Sequence, residues 1–503
     1  MSCVRSVLVL AILPALLGFA EDRSRVSAEL SKRTGSGLNP QPAPRAEVVD
    51  AGLLRDLSFQ ALLPAGPKPF EMAQRNARDE KAVAEVLSGQ RRLANAAWWG
   101  FQEEDATAAL QSAIDSDATT VVVPFLGRPW VVRPIKLRGN LEIILEPGVL
   151  ILAKKGEFKG KGDSLFTATG ESNLTIRGYG ATLRMRKADY QSSAYEKAEW
   201  RMGISLRGSR NVLIEGLRVE STGGDGFYID GGGKLPFSQD VVIRNCISHD
   251  NHRQGISVIS AVNLLVDNCV FSSTRGTAPE AGIDLEPDTP DQRLVNCVIR
   301  NCLFENNHGH AILVYLRQLT RQSEPVSIRF ENCHSRMGLS AGLAPEEVLD
   351  LKPGGWAGMA VGAARDDGPK GLVEFVNCTS ENTGREGAKV YDKSAASVLV
   401  RFVNCSWKNP WVSAPIDYAG PRVPVLIELR RPATTKMHGG VEFRDCYVYD
   451  QVNRPALVVE EDQSELGVRE LHGQITSQNP GGARMRLGPN PTNVDLKVLA
   501  AGK

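Results

Sequence analysis

Asn263-Leu264-Leu265-Val266-Asp267-Asn268-Cys269 sets a short apolar run between polar residues and closes it on an Asn-Cys pair. The pair returns at Asn245-Cys246, Asn301-Cys302, Asn332-Cys333, Asn377-Cys378 and Asn404-Cys405, with Asp445-Cys446 as a variant. Each closes a run rich in Val, Ile and Phe. A polar turn follows, and usually a glycine-led segment such as Gly255-Ile256-Ser257-Val258 or Gly282-Ile283-Asp284-Leu285. The repeating unit is therefore strand, turn, strand. A unit this small cannot bury its own apolar face, so it must stack on its neighbours.

Period-2 alternation also marks Asn211-Val212-Leu213-Ile214-Glu215 and Asp240-Val241-Val242-Ile243-Arg244 as strands. The repeat length is uneven: Cys246 to Cys269 is 23 residues and Cys333 to Cys378 is 45. Inserts must then leave one edge of each turn, unlike the steadier period of leucine-rich repeats or propeller blades. No helix-length amphipathic run lies between about Leu137 and Val448 to serve as a crossover, which argues against a doubly wound sheet. What remains is a coil in which each strand pairs in parallel with its equivalent one rung away.

On these features the chain resembles the right-handed parallel β-helix of the pectate-lyase and polygalacturonase superfamily, over roughly Trp98 to Asp450. Trp98-Trp99-Gly100-Phe101, followed by Asp105 to Asp115, resembles the capping helix before the first rung, and Thr119 to Pro124 the first strand after it. The resemblance implies an all-β fold: a right-handed single-stranded parallel β-helix with an N-terminal capping helix, its asparagines forming an inward ladder.

Around this core, residues 1–20 read as a signal peptide cleaved near Ala20, with Arg5 ahead of an apolar run from Val7 to Phe19. That run is short for a membrane span, and no Cys follows it to carry a lipid anchor. Residues 21–95 form a leader and a helical segment (about Glu71 to Leu93), 96–450 the β-helix, and 451–503 a C-terminal cap and tail. The 503-residue chain has 59 Lys and Arg against 58 Asp and Glu; without Arg5 the mature balance is 58 against 58. Such a chain offers no global attraction to nucleic acid or anionic membrane, and a monomer is expected. Seven of its nine cysteines share one place in the repeat, where each reads as a small buried apolar residue. No paired Cys-x-x-Cys or His spacing suggests zinc.

Aligning the glycine-led strands on Gly203, Gly226, Gly255, Gly282 and Ala311 places equivalent residues over one another. Two residues on, facing out, stand Ser205, Tyr228, Ser257, Asp284 and Leu313; four on stand Arg207, Asp230, Ile259, Glu286 and Tyr315. Just before the glycine come Met202, Asp225, Gln254, Ala281 and His310. Two before it come Arg201, Gly224, Arg253, Glu280 and Gly309. Asp284 and Glu286 share one side of a strand with Cα atoms roughly 6.6 Å apart, and Arg253 is expected to face Glu280 on the next rung. The expected catalytic set is Asp284 and Glu286, assisted by Asp230 or Asp225. Arg253, Gln254, His252, Tyr228, Arg201, His310 and Tyr315 are the expected substrate contacts. Each also has a structural reading: Asp225 and Asp230 as turn residues, Asp284 and Glu286 as solvated groups before Pro287, and Arg253 as a neutraliser of Glu280. Trp356 and Trp407 read as exposed residues packing a cap or loop.

A carboxylate pair of this kind suits glycoside hydrolysis of a polysaccharide, with an inverting geometry that leaves room for water. The hydrolase motifs Asn-Thr-Asp-Gly, Gly-Asp-Asp, Gly-His-Gly and Arg-Ile-Lys are absent; Gly223-Gly224-Asp225-Gly226 and His308-Gly309-His310 only echo them. The alternative of the same fold is a lyase or C5-epimerase, since Asn251-His252-Arg253-Gln254-Gly255 resembles the Asn-Asp-Arg-His-Gly stretch of alginate epimerases, though their Tyr-Gly-Phe-Asp-Pro-His motif is missing. No cofactor is required for hydrolysis. A lyase would admit calcium, with Asp284, Glu286, Asp288 and Asp291 as oxygen ligands. A non-catalytic glycan-binding β-helix is the third reading.

Overall fold

The computed structural model describes residues 78–337, 355–411, 420–460, 466–480 and 482–501. The expected signal peptide, the leader up to residue 77 and residues 338–354 lie outside the described residues. Within them the chain coils as short parallel strands. One twelve-stranded sheet takes a strand from each successive turn of the coil, from Ile135–Lys136 through Ile204–Arg207, Phe227–Asp230, Ile256–Val258, Ile283–Leu285, Ile312–Tyr315, Met359–Gly362, Ala388–Tyr391 and Val425–Glu428 to Met485–Arg486. The other strands repeat the same pairing: Ser238–Arg244 runs parallel to Ala261–Asp267, and that strand to Leu294–Arg300.

Side-chain alternation sends every second residue into the coil. Ile204, Phe227, Ile256, Ile283, Ile312 and Met359 are in register and wholly buried. Phe330, Phe375, Phe402 and Phe443 stack ring on ring at 4.9, 5.0 and 5.4 Å. The eight cysteines from Cys246 to Cys446 are buried and free. Trp407 is buried too, with Phe402 and Phe443 edge-on to it, and is not the exposed residue the sequence suggested.

The asparagine ladder sits at an outer corner, not inside as the resemblance implied. Asn245, Asn268, Asn301, Asn332, Asn377 and Asn404 are half-buried, with φ between 50° and 55°. Asparagine tolerates this left-handed turn better than other side chains, and the turn drives the following cysteine inward. The amides of Asn332, Asn377 and Asn404 donate to the Oδ1 of the asparagine one rung below, at 3.2, 3.1 and 2.8 Å.

At the N-terminal end, helix Thr107–Asp115 buries Ala109, Leu110, Ala113 and Ile114. The Asp105 carboxylate accepts from the Thr107 amide and steadies its first turn. The ladder starts one strand earlier than expected, because Leu93–Asn95 pairs with Thr120–Val123. It also runs past Asp450: Gly439–Tyr449 pairs with Arg469–Gln478, and that strand with Thr492–Ala500. The segment expected to be a cap thus supplies further rungs. No helix among the described residues is long and apolar enough to cross a membrane.

Candidate active site

The outward face of the twelve-stranded sheet carries the site. Ser205, Tyr228, Ser257, Asp284, Leu313, Ala360 and Lys389 stack in register, and Arg207 pairs with Asp230. The parallel ladder holds these positions about 4.8 Å apart, so side chains far apart in sequence meet.

Asp284 stands at the centre. It is 1% exposed, its Oδ2 accepts from Gln254 Nε2 at 2.8 Å, and Gln254 Oε1 is fixed by the Ala281 amide at 2.8 Å. Burial raises its carboxyl well above the usual range, and the charge of the neighbouring Glu286 raises it further. Asp284 thus favours its protonated form. Glu286 is half-exposed.

Asp225 lies on the turn beside them, fully buried. Arg253 Nη1 is 3.7 Å from its Oδ2, and neither carboxylate oxygen has a hydrogen-bond partner in the protein. Burial pushes this carboxyl up to about 6, with Arg253 opposing. Arg253 therefore faces Asp225 and not Glu280, which pairs with His308. Burial works against the Arg253 charge, but Asp225, Asp284, Glu199 and Glu286 outweigh it and hold the guanidinium above its ordinary value. Ser205 Oγ, Ser257 Oγ, His252 Nδ1 and Asp284 Oδ1 are also buried without partners. Buried polar atoms are usually paired; of these, Ser205, Ser257 and Asp284 share the outward column.

The other expected residues fall into two groups. Tyr228 and Asp230 form a linked unit: the Tyr228 hydroxyl donates to Asp230 Oδ2 at 3.0 Å, Gln292 Nε2 donates to Oδ1 at 3.0 Å, and Arg207 lies over the Tyr228 ring at 4.6 Å. His252, on the Arg253 turn, is buried, and burial and then Lys187 lower its pKa, leaving a neutral ring. Arg201, by contrast, is fully buried and donates to the carbonyls of Phe158 and Glu196, both at 2.9 Å. His310 packs edge-on to Trp356, and its Nδ1 accepts from the Ala357 amide at 3.2 Å. Burial, then Lys389 and Arg385, push its pKa down to about 3. Tyr315 accepts from Arg431 Nη1 at 3.0 Å and leans on Tyr391.

Sequence spacing missed Glu199, Tyr391 and the Glu386, Lys389 and Glu428 group. Glu199 bears on both Asp225 and Arg253 from an irregular segment that no repeat marks. Tyr391 continues the Tyr315 column two rungs on, and extending the alignment beyond Ala311 would have found it. Lys389 Nζ is 2.6 Å from Glu428 Oε1 and 3.5 Å from Glu386 Oε1, all three side chains buried. Among the described residues no three or more His, Cys, Asp or Glu side chains converge as a metal-binding group. Asp284, Glu286, Asp288 and Asp291 thus do not form one.

The profile of the family described as "Right handed beta helix region" matches residues 162–297 and 197–335. The chain is a right-handed parallel β-helix. The uncharacterized protein YclG of Bacillus subtilis (strain 168) is 27% identical over 225 residues, which are 42% of this chain and 37% of that protein. The chain thus spans well under half the length of this curated relative. Among solved structures, the mannuronan C-5 epimerase AlgE6 A-module of Azotobacter vinelandii superposes with a TM-score of 0.56 at 16% identity, covering 81% of this chain and 99% of that one. The family 28 exopolygalacturonase of Yersinia enterocolitica superposes with a TM-score of 0.52 at 14% identity, covering 82% and 79%. At these identities the likeness is one of fold. The right-handed β-helix carries epimerase and hydrolase chemistry alike.

Proposed function

We propose that this protein modifies an acidic polysaccharide by removing the proton beside a uronate carboxylate, as a C5-epimerase or lyase. The observation that carries this reading is Arg253, held charged on the outward face among Asp225, Asp284, Glu199 and Glu286, where it can receive a substrate carboxylate.

In this reading Arg253 receives the substrate carboxylate and neutralises it, which lowers the cost of forming a carbanion next to it. Glu286, which reaches solvent, takes the C5 proton. Asp284 behind it stays protonated, itself fixed by Gln254. Asp225 keeps Arg253 oriented. Once the proton is off, departure of the 4-linked sugar gives a lyase, and return of a proton to the opposite face gives an epimerase. Calcium, if bound, would add positive charge at the substrate carboxylate, and no step here depends on it.

The density of acids around a single arginine favours a second reading, hydrolysis of a less charged glycan with Asp284 and Glu286 as the pair. We extend the proposal to export with cleavage near Ala20 and action as a monomer. The test is a digest of acidic and neutral polysaccharides, with and without chelator, reading reducing ends, ultraviolet absorbance of unsaturated uronates, and C5 configuration by NMR. Unsaturated ends or inverted uronates, lost in Glu286→Gln, support the proposal. Reducing ends without unsaturation transfer the site to hydrolysis. Binding with no chemistry on any polymer leaves a glycan-binding β-helix.

A further inference from the structure

Of the seven tryptophans, Trp130, Trp407 and Trp411 are buried, and Trp98 and Trp99 pack against the core. Only Trp200 and Trp356 are exposed, at 44% and 39%. One exposed apolar side chain needs no explanation; the placement of these two does. Both lie on the turn that leads into the twelve-stranded sheet, Trp200 ahead of Ile204–Arg207 and Trp356 ahead of Met359–Gly362. The Asp225, Arg253 and Asp284 rungs fall between those two strands.

The turn stacks as regularly as the sheet. The backbone beside Trp200 packs on Gly224, since a Cβ there would meet the Glu199 carbonyl oxygen at 2.6 Å. The Arg253 amide donates to the Gly224 carbonyl at 3.0 Å. Farther along, the Gly309 amide donates to the Glu280 carbonyl at 2.9 Å, and the Trp356 amide to the Gly309 carbonyl at 2.8 Å. The two indoles are thus tied into one continuous edge, two rungs before Arg253 and three rungs after it, or about 10 and 14 Å by strand spacing. Trp356 is further braced by the His310 ring at 5.0 Å and faces the Arg385 guanidinium at 6.0 Å.

We propose that Trp200 and Trp356 are two sugar platforms that hold one polysaccharide chain along this edge, across Arg253, and that the polymer is acidic. The apolar face of a pyranose ring packs on an indole and is shielded from water there. Arg253 takes the uronate undergoing reaction, which makes the polymer an acidic one. This placement rests on the proton-transfer reading for its central sugar, but binding at the platforms does not require turnover. The occupant must span five rungs, about 24 Å. A short oligomer reaches one platform only.

The test measures binding apart from chemistry. Alginate and polygalacturonate are titrated against the full chain and against Trp200→Ala, Trp356→Ala and the double variant. Affinity electrophoresis and quenching of tryptophan fluorescence give the readout, and circular dichroism checks the fold. Trp356→Phe, which keeps an aromatic face, guards against a folding artefact. Each alanine variant is expected to weaken polymer binding about tenfold, equivalent to the ~1.4 kcal/mol of a modest aromatic contact. The two losses should multiply on polymer, and Trp356→Phe should recover most of its share. On a short oligouronate the double variant should lose no more than the stronger single one. Polymer affinity unchanged within about twofold in both single variants would overturn the proposal, as would tighter binding of a neutral polymer than of the polyuronates. A chain that binds polyuronate through both tryptophans yet performs no chemistry keeps the platforms and removes the proton-transfer reading. An active enzyme with unaffected Trp variants does the reverse.

Discussion

Replacing Asp225 with asparagine should make the protein more stable at neutral pH while disabling its site. Asp225 is fully buried with neither oxygen hydrogen-bonded, and burial lifts its carboxyl from 3.8 to about 6 against the pull of Arg253. A carboxyl whose folded pKa exceeds its unfolded pKa binds its proton more tightly in the folded chain. The stability from that proton is complete below about pH 4 and is lost as pH rises through about 6. At about 1.4 kcal/mol per pH unit, the loss comes to about 3 kcal/mol. Asparagine has the same shape and cannot ionise, so the variant escapes the loss. Removing the Asp225 charge also relieves Asp284, which that charge pushes up, and this adds in the same direction. Equilibrium urea unfolding of both proteins at about pH 4 and pH 8 provides the assay. The stability of the variant relative to the native chain should rise by about 3 kcal/mol between the two. A difference that stays flat, or a variant that falls further behind as pH rises, would refute the account of Asp225 as a carboxyl held against its solvation preference.

Three further outcomes are expected. Asp284→Asn and Glu286→Gln should each lower turnover by about 10²–10⁴-fold, the usual worth of a positioned proton-transfer group, with melting behaviour retained; kinetics on whichever polymer is processed checks this. Phe375→Ala removes the ring between Phe330 and Phe402 and should cost about 3–5 kcal/mol in urea unfolding, since a parallel stack cannot collapse around one missing ring. At Asn332, with φ of 52°, Asn332→Ala should destabilise more than Asn332→Gly, by roughly 1 kcal/mol. Both variants lose the ladder bonds, and only alanine also carries the left-handed strain.

The repeat makes the inner core legible from the amino-acid order alone. Once the Asn-Cys phrase sets the register, period-2 alternation assigns each residue a face, so the column from Ser205 through Tyr228, Ser257 and Asp284 to Leu313 follows from counting. Counting fails where the chain leaves the strands. Arg253 sits on a turn, and spacing cannot say whether its side chain leans toward Glu280 on one neighbouring rung or Asp225 on the other; the deeper burial of Asp225 makes its charge need a partner more. Arg201 heads the same column, but the irregular segment before it offers carbonyls that bury it. The asparagines sit outside because a left-handed corner residue points away from the coil, which polarity and spacing do not reveal. Beyond Asp450 the phrase stops, yet Arg469–Gln478 and Thr492–Ala500 still pair in parallel, because the ladder needs in-register backbone and not the Asn-Cys pair.

The most direct test of proton transfer at C5 is exchange with solvent. A polyuronate incubated with the protein in heavy water should take up deuterium at C5, by NMR and mass spectrometry, or yield unsaturated ends, and Glu286→Gln should abolish both. Chain cleavage that leaves every C5 proton in place would contradict the account and return Asp284 and Glu286 to hydrolysis.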